Sequence, residues 1–412
     1  MGGAGVNGLN AITGRGLLAT KPPLASLLIL PGYALATIIA FLPLVPWFTT
    51  SIPDAGGFFD PPFQAFLLGW DWHALRSDVS AVYNAPIFHP ELLTLTYMDT
   101  MLGETLLAAP VLAVGGSIAS AYNFLVLASF VLSAWGAYRL TRLFGVSRSG
   151  AFVSGLLFAF SPYRFANVPI LNQLHTEWIP WGLYFTMRYA RTTQMRHAIS
   201  MATVIVVQVW FGWYYAYYLA IAMVLTLLVA RPSGLATTSP WQPKVLAVAA
   251  ALALVAIAPV LVPYLQQRMA VPEMRRSLGE SALYSADLLD YVRTVPGLLG
   301  GRLPWALTGE QSYWPGLVTI LLGSLGFVNA WRPARRLARI PIVITATGFV
   351  LSLGPILHVA GHALARHVRR ALHDHLEGLR GMRERFLPQR RRDERVGERG
   401  ACARQRDEDR SR

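Results

Sequence analysis

Nine apolar stretches run through this chain, at roughly residues 24–46, 119–140, 149–162, 174–190, 197–212, 213–230, 244–266, 314–331 and 339–358. A bilayer core takes about 20 predominantly apolar residues to cross as a helix. Helix is the natural form there, because a lipid-exposed backbone must bond every N–H and C=O internally. Of the 412 residues, 54% are apolar and only 14% charged, where a soluble domain carries about a quarter charged residues. The pattern predicts an all-α polytopic membrane protein of about nine transmembrane helices. The stretch 105–116 is too short to cross and is expected to re-enter or to lie at the interface.

Charge then orients the spans. With a cytoplasmic N-terminus the inner loops are 1–23, 139–148, 188–197, 231–244 and 332–339, which together hold 14 Lys or Arg and no Asp or Glu. The first outer loop, 47–104, holds seven acidic residues and one basic residue, Arg76. This is the positive-inside pattern, and it predicts a multi-pass inner-membrane protein with a cytoplasmic N-terminus. It also accounts for much of the net charge of +14 without nucleic acid, since 15 of the 36 basic residues lie beyond residue 360 and 14 of the other 21 lie in the inner loops. The single cysteine, Cys402, excludes a disulfide framework. The N-terminus lacks the short apolar core and cleavage site of a secretory signal, so the first span is expected to be retained.

Two outer segments are long, 47–104 and 267–313, and long loops on a rigid scaffold are where binding and catalytic groups gather. In the first, Asp60 and Asp71 stand within "FDPPFQAFLLGWDWHAL", although burying a carboxylate is costly unless it is paired or used. The segment reads as an amphipathic helix along the membrane surface, with Phe66, Leu67, Trp70 and Ala74 on its apolar side. Asp60, followed by Pro61 and Pro62, suits a helix start; capping and catalysis are both open to it. Asp71 and His73 share neither a helix face nor the spacing of a metal pair.

Residues 160–181, "FSPYRFANVPILNQLHTEWIPW", join two spans on the outer side, and Pro162, Pro169 and Pro180 predict non-helical backbone at membrane depth. Arg164 either pairs with Glu177 or, with His175, faces a phosphate. "WFGWYYAYY" (210–218) reads as an interfacial aromatic belt or a stacking surface. In loop 267–313, ten charges either pair off on a small subdomain or leave Arg275 and Arg276 for a phosphate. Glu310 precedes a helix mouth on the same side as Asp60. There is no P-loop, GxGxxG turn or HExxH motif.

Several pieces in order carry a resemblance: "FDPPFQAFLLGWDWHAL", "NAPIFHPELLTLTYMDTMLGETLLAAP", "AYNFLVLASFVLSAWGAYRLTRLFG", "GLLFAFSPYRFANVPILNQLHTEWIPW", and "YSADLLDYV" with "GEQSYWPGL". The series resembles bacterial GT-C-type membrane glycosyltransferases, in their poorly characterised branch, across most of residues 30–360. The resemblance implies transfer of a sugar from a polyprenyl-phosphate carrier to an acceptor on the outer face. It places the general base at Asp60, with Asp71 and His73 as further catalytic candidates. Asp99 and Glu104 become candidates to hold a divalent cation, Mg2+ or Mn2+. Arg164, His175, Arg275, Arg276 and Glu310 become candidates for binding the donor. The expected partners are the lipid-linked sugar and membrane lipids. The rival class is a transporter or flippase of envelope lipids or glycans, which would show inverted repeats; none is evident.

The domain so read spans 1–360, with an Arg-rich tail over 361–412 that reads as disordered. The tail puts many arginines outside, against the charge rule, while the resemblance runs on into "LEGLRGMRERFLP". These two facts predict a chain truncated or read out of frame near residues 384–390.

Overall fold

A computed structural model describes residues 28–53, 60–230, 242–271, 281–282, 284–292, 313–330, 335–360 and 362–363. The fold is all-α, with, among the described residues, one two-residue antiparallel ladder pairing His358–Val359 with His362–Ala363. Each of the nine apolar stretches contains a helix. They are α1 (Ile29–Ala40), α4 (Ile118–Leu143), α5 (Arg148–Ala159), α8 (Trp178–Thr192), α9 (Met195–Phe211), α10 (Trp213–Ala230), α11 (Pro243–Ala270), α12 (Leu317–Ala330) and α13 (Arg335–Ser352). Between them lie α2 (Asp60–Ser77), α3 (Leu102–Ala113), and the short helices α6 (Pro162–Ala166) and α7 (Leu171–Leu174). Three helices, α4, α10 and α11, are long and apolar enough to cross a membrane. The twelve-residue α3, like the sequence stretch it occupies, is too short to cross.

Local chemistry sets the helix ends. Ser117 and Ser147 cap α4 and α5, their hydroxyls accepting from Ser120 N at 3.1 Å and Gly150 N at 3.2 Å. Gly145, at φ +81°, takes the left-handed step after α4 that a side chain would resist. Gly212 alone separates α9 from α10, at φ +152°. Pro162 opens α6 and Pro180 lies in the first turn of α8. Two of the three prolines expected to break helix in 160–181 therefore start one instead, their fixed φ being compatible with a first turn.

The helices fall into two compact units. The larger takes in residues up to 274 and 291–348, and its main core joins α2, α3 and the first half of α4 through Leu68, Leu95, Tyr122, Leu125, Phe130, Leu171 and Leu174, all fully buried. On α11 the outer side chains are bare: Leu254 and Val255 are 62% and 73% exposed. An unbroken apolar face of this kind suits lipid and not water. The smaller unit comprises 275–290 and 349–412. Within it, Ala286 N donates to Ser352 O at 2.8 Å, and Asp287 Oδ1 accepts from Leu289 N and Ala360 N at 2.8 and 3.0 Å. Asp290 Oδ2 accepts from Asp287 N at 2.9 Å. These two buried aspartates of the second outer loop thus serve to tie backbone together.

Candidate functional site

Helix α2 is packed against α3 and α4. Its inward face is Pro61, Gln64, Leu67, Leu68, Asp71 and Ala74, while Phe66 and Trp70, assigned to the apolar side from sequence, are partly exposed. At 100° per residue Asp60, Gln64, Leu67 and Asp71 form one stripe, rising about 16 Å over three turns. Asp60 is the first residue of the helix and is exposed, as a helix-start position allows. His73 lies on the opposite side, exposed, its ring 5.9 Å from Trp70. Asp71 and His73 therefore do not meet.

The stripe is tied to segment 160–181 from far along the chain. Gln64 Nε2 donates to Asn172 Oδ1 at 3.0 Å and Gln64 Oε1 accepts from Leu171 N at 2.7 Å. Tyr122, an electrostatic neighbour of Asp60, donates to Pro169 O at 2.6 Å. One turn from the exposed carboxylate there is thus a satisfied polar junction of Gln64, Asn172 and Tyr122. The wish of these groups for partners was not visible from spacing, because Leu171 and Asn172 lie more than 100 residues from Gln64.

Below the junction lies a fully buried ionic network. Arg164 donates through Nε to Ala159 O at 3.0 Å, through Nη1 to Leu174 O at 2.8 Å and to Thr176 Oγ1, and through Nη2 to Ser129 Oγ at 2.7 Å. Its guanidinium also lies 4.9 Å from the Phe130 ring centre. Ser129 in turn donates to Glu177 Oε2 at 3.0 Å, and His175 Nδ1 pairs with Glu177 Oε1 at 2.6 Å. Arg164 is thus engaged with the protein itself and is not turned out toward a phosphate. His175 is oriented by Glu177, and its Nε2 has no hydrogen-bond partner.

A second group of buried acids lies beside this network. Asp71 is completely buried; its Oδ2 accepts from Met101 N at 3.1 Å and its Oδ1 has no partner. Burial pushes the Asp71 carboxyl up to about 7, against the Met101 N–H, which favours the anion. Glu104 is also completely buried, both oxygens lack a partner, and its electrostatic neighbours are Glu177, Asp99 and Asp71. Gly103 lets α3 approach the α9–α10 turn: a Cβ there would stand 2.3 Å from Phe211 Cδ2 and 2.8 Å from the Trp210 carbonyl carbon. Phe211 packs edge-on to His175 at 5.0 Å, and a Cβ on Gly212 would lie 3.8 Å from Asp99 Oδ2. One turn back, Gln208 is buried with neither amide atom bonded. Asp71, Asp99, Glu104, His175 and Glu177 are therefore gathered at one end of the helices, an assembly that sequence reasoning approached only as separate candidates.

Among the described residues no three His, Cys, Asp or Glu side chains are arranged to hold a metal. Asp99 and Glu104 do not by themselves make a donor set for Mg2+ or Mn2+. Arg275, Arg276 and Glu310, like the Arg-rich tail after residue 363, lie outside the described residues.

Fold and site define an all-α protein with three helices long and apolar enough to cross a membrane and a carboxyl-rich end. The chain belongs to the DUF6311 family: its model, described as a domain of unknown function, matches residues 34–386. No curated protein and no solved structure matches the chain.

Proposed function

We propose that the protein is a membrane glycosyltransferase of the GT-C type, with about nine spans, a cytoplasmic N-terminus and its site on the outer face of a bacterial inner membrane. The observation that carries this reading is Asp60: an exposed carboxylate at the start of α2, beside Tyr122 and one turn from the Gln64–Asn172 junction. The ordered resemblance supports it, as does the opposition between an acidic outer loop and basic inner loops.

In this reading Asp60 accepts the proton of an acceptor hydroxyl. The hydroxyl oxygen bonds to the anomeric carbon, the bond from that carbon to the carrier phosphate breaks, and polyprenyl phosphate leaves with the electron pair. A base at the rim meets both reactants within one thin layer, so confinement contributes part of the acceleration. His175 is buried and held by Glu177, with its Nε2 left unpartnered. The buried ionic network holds segment 160–181 in place behind α2.

A second reading, a transporter or flippase that performs no chemistry, draws support from Glu104, a fully buried carboxyl with both oxygens unpartnered. Ionisable groups inside membrane proteins commonly mark transport pathways. Sugar transfer from labelled polyprenyl-phosphate sugars in membranes containing wild type or Asp60→Asn separates the two. Loss of transfer with Asp60→Asn at equal protein level supports the enzyme. Movement of substrate without transfer, unaffected by Asp60→Asn, supports the transporter.

A further inference from the structure

At the end of the larger unit opposite the carboxyl cluster, arginines converge without an acid among the described residues. Helix α4 carries Tyr122 and Ser129 in its first half and Arg139 and Arg142 near its last turn. The turn after α4 and the turn between α8 and α9 are tied together, since Arg191 Nη1 donates to Leu143 O at 3.0 Å. Arg188 and Arg196 flank that second turn. Arg339 is brought to the same end by α13, whose neighbouring Ile340 packs with Met187, Ala190 and Leu143. Between Glu104 and Glu273 the sequence holds one acidic residue, Glu177, and that one is buried against His175. Among the described residues His175–Glu177 is also the only ion pair.

Arg188 Nη2 makes a long hydrogen bond, 3.5 Å, to Nε2 of the buried His197, while Arg188 Nε is buried with no partner. Arg188 lies within electrostatic reach of both Arg191 and His197, and Arg196 of His197. A guanidinium offers five N–H donors and no acceptor, so this end presents several donors for an anion. Beside them Met195 and Ile199 are exposed apolar side chains, 39% and 42%. Donors next to bare apolar side chains suit a phosphate with acyl chains attached.

We propose that Arg188, Arg191 and Arg196 bind the phosphate of an anionic phospholipid, with Met195 and Ile199 against its acyl chains. The site is independent of whether the opposite end transfers sugar.

The test uses the full chain in detergent, with lipid retention read by native mass spectrometry and unfolding by thermal scan. Phosphatidylglycerol should remain bound to wild type and raise the melting temperature, and phosphatidylcholine should do neither. The pair Arg188→Gln with Arg191→Gln should lower phosphatidylglycerol retention at least tenfold. Arg76→Gln, at the acidic end, should leave it unchanged. If the double variant does not fold, Arg196→Gln, whose exposed side chain donates to Gln194, should still weaken retention several-fold. Equal retention by wild type and the arginine variants, or equal retention of the two lipids, overturns the proposal. Binding of inorganic phosphate with no preference for phosphatidylglycerol overturns the lipid assignment.

Discussion

Arg164 and Glu177 are both buried, oppositely charged and not in direct contact: Ser129 Oγ stands between them, accepting from Arg164 at 2.7 Å and donating to Glu177 at 3.0 Å. The hydroxyl thus joins the guanidinium to the His175–Glu177 pair. A buried charge deprived of its partner costs several times what an exposed one does.

Ser129→Ala is therefore expected to lower stability by about 2–3 kcal/mol, since it leaves a buried Arg donor and a Glu acceptor short of a bond. Glu177→Gln should cost more, about 3–5 kcal/mol, because the Arg164 charge then stays buried without a counter-charge. Thermal unfolding in one detergent checks both; a Ser129→Ala protein as stable as wild type would remove the network from the account of stability.

Asp60→Asn should leave the melting temperature within the scatter of ordinary surface substitutions, about 0.5 kcal/mol. Sugar transfer should fall by about a hundredfold or more, as expected when a general base is lost. A variant that unfolds, or one that keeps full transfer, contradicts the role assigned to this residue.

Asp71 carries a pH signature. Its carboxyl is raised in the folded protein from 3.8 to about 7, so between about pH 4 and 7 the folded chain binds more protons there than the unfolded one. Stability from this group is fully present below pH 4 and is lost as pH rises to about 7, by at most about 4 kcal/mol at 1.36 kcal/mol per unit. Asp71→Asn should remove that slope, so the gap between variant and wild type shifts toward the variant from pH 4 to pH 8. A gap that does not change over this range would refute the burial of an unpaired Asp71.

Gly103→Ala should be costly, about 1–3 kcal/mol, because its Cβ would meet Phe211 and the Trp210 backbone at 2.3 and 2.8 Å. Gly323→Ala on α12 meets nothing within 4 Å and should be neutral or gain about 0.5–1 kcal/mol from helix propensity. Paired melting curves test whether α3 truly closes on the α9–α10 turn.

What the sequence by itself determined is the helical, strongly apolar character of the chain, including three helices long enough to cross a membrane. Each of the nine apolar runs contains a helix, though some helix ends differ from the run by up to six residues, and Ser and Gly marked where several begin or end. The acidic character of loop 47–104 and the acid-free, basic loops 139–148 and 188–197 were likewise legible, as was the exposed helix-start position of Asp60. Tertiary structure alone decided which face of α2 turns inward. Hydrophobicity favoured Phe66 and Trp70, yet Gln64 and Asp71 are buried, because Leu171, Asn172 and the Met101 N–H supply partners that no local pattern contains. It also decided that Arg164 is spent within the protein and that Glu104 and Asp71 share one interior. Periodicity gives each helix a stripe, but the stability of a buried polar group depends on neighbours that only the packed chain brings within bonding distance.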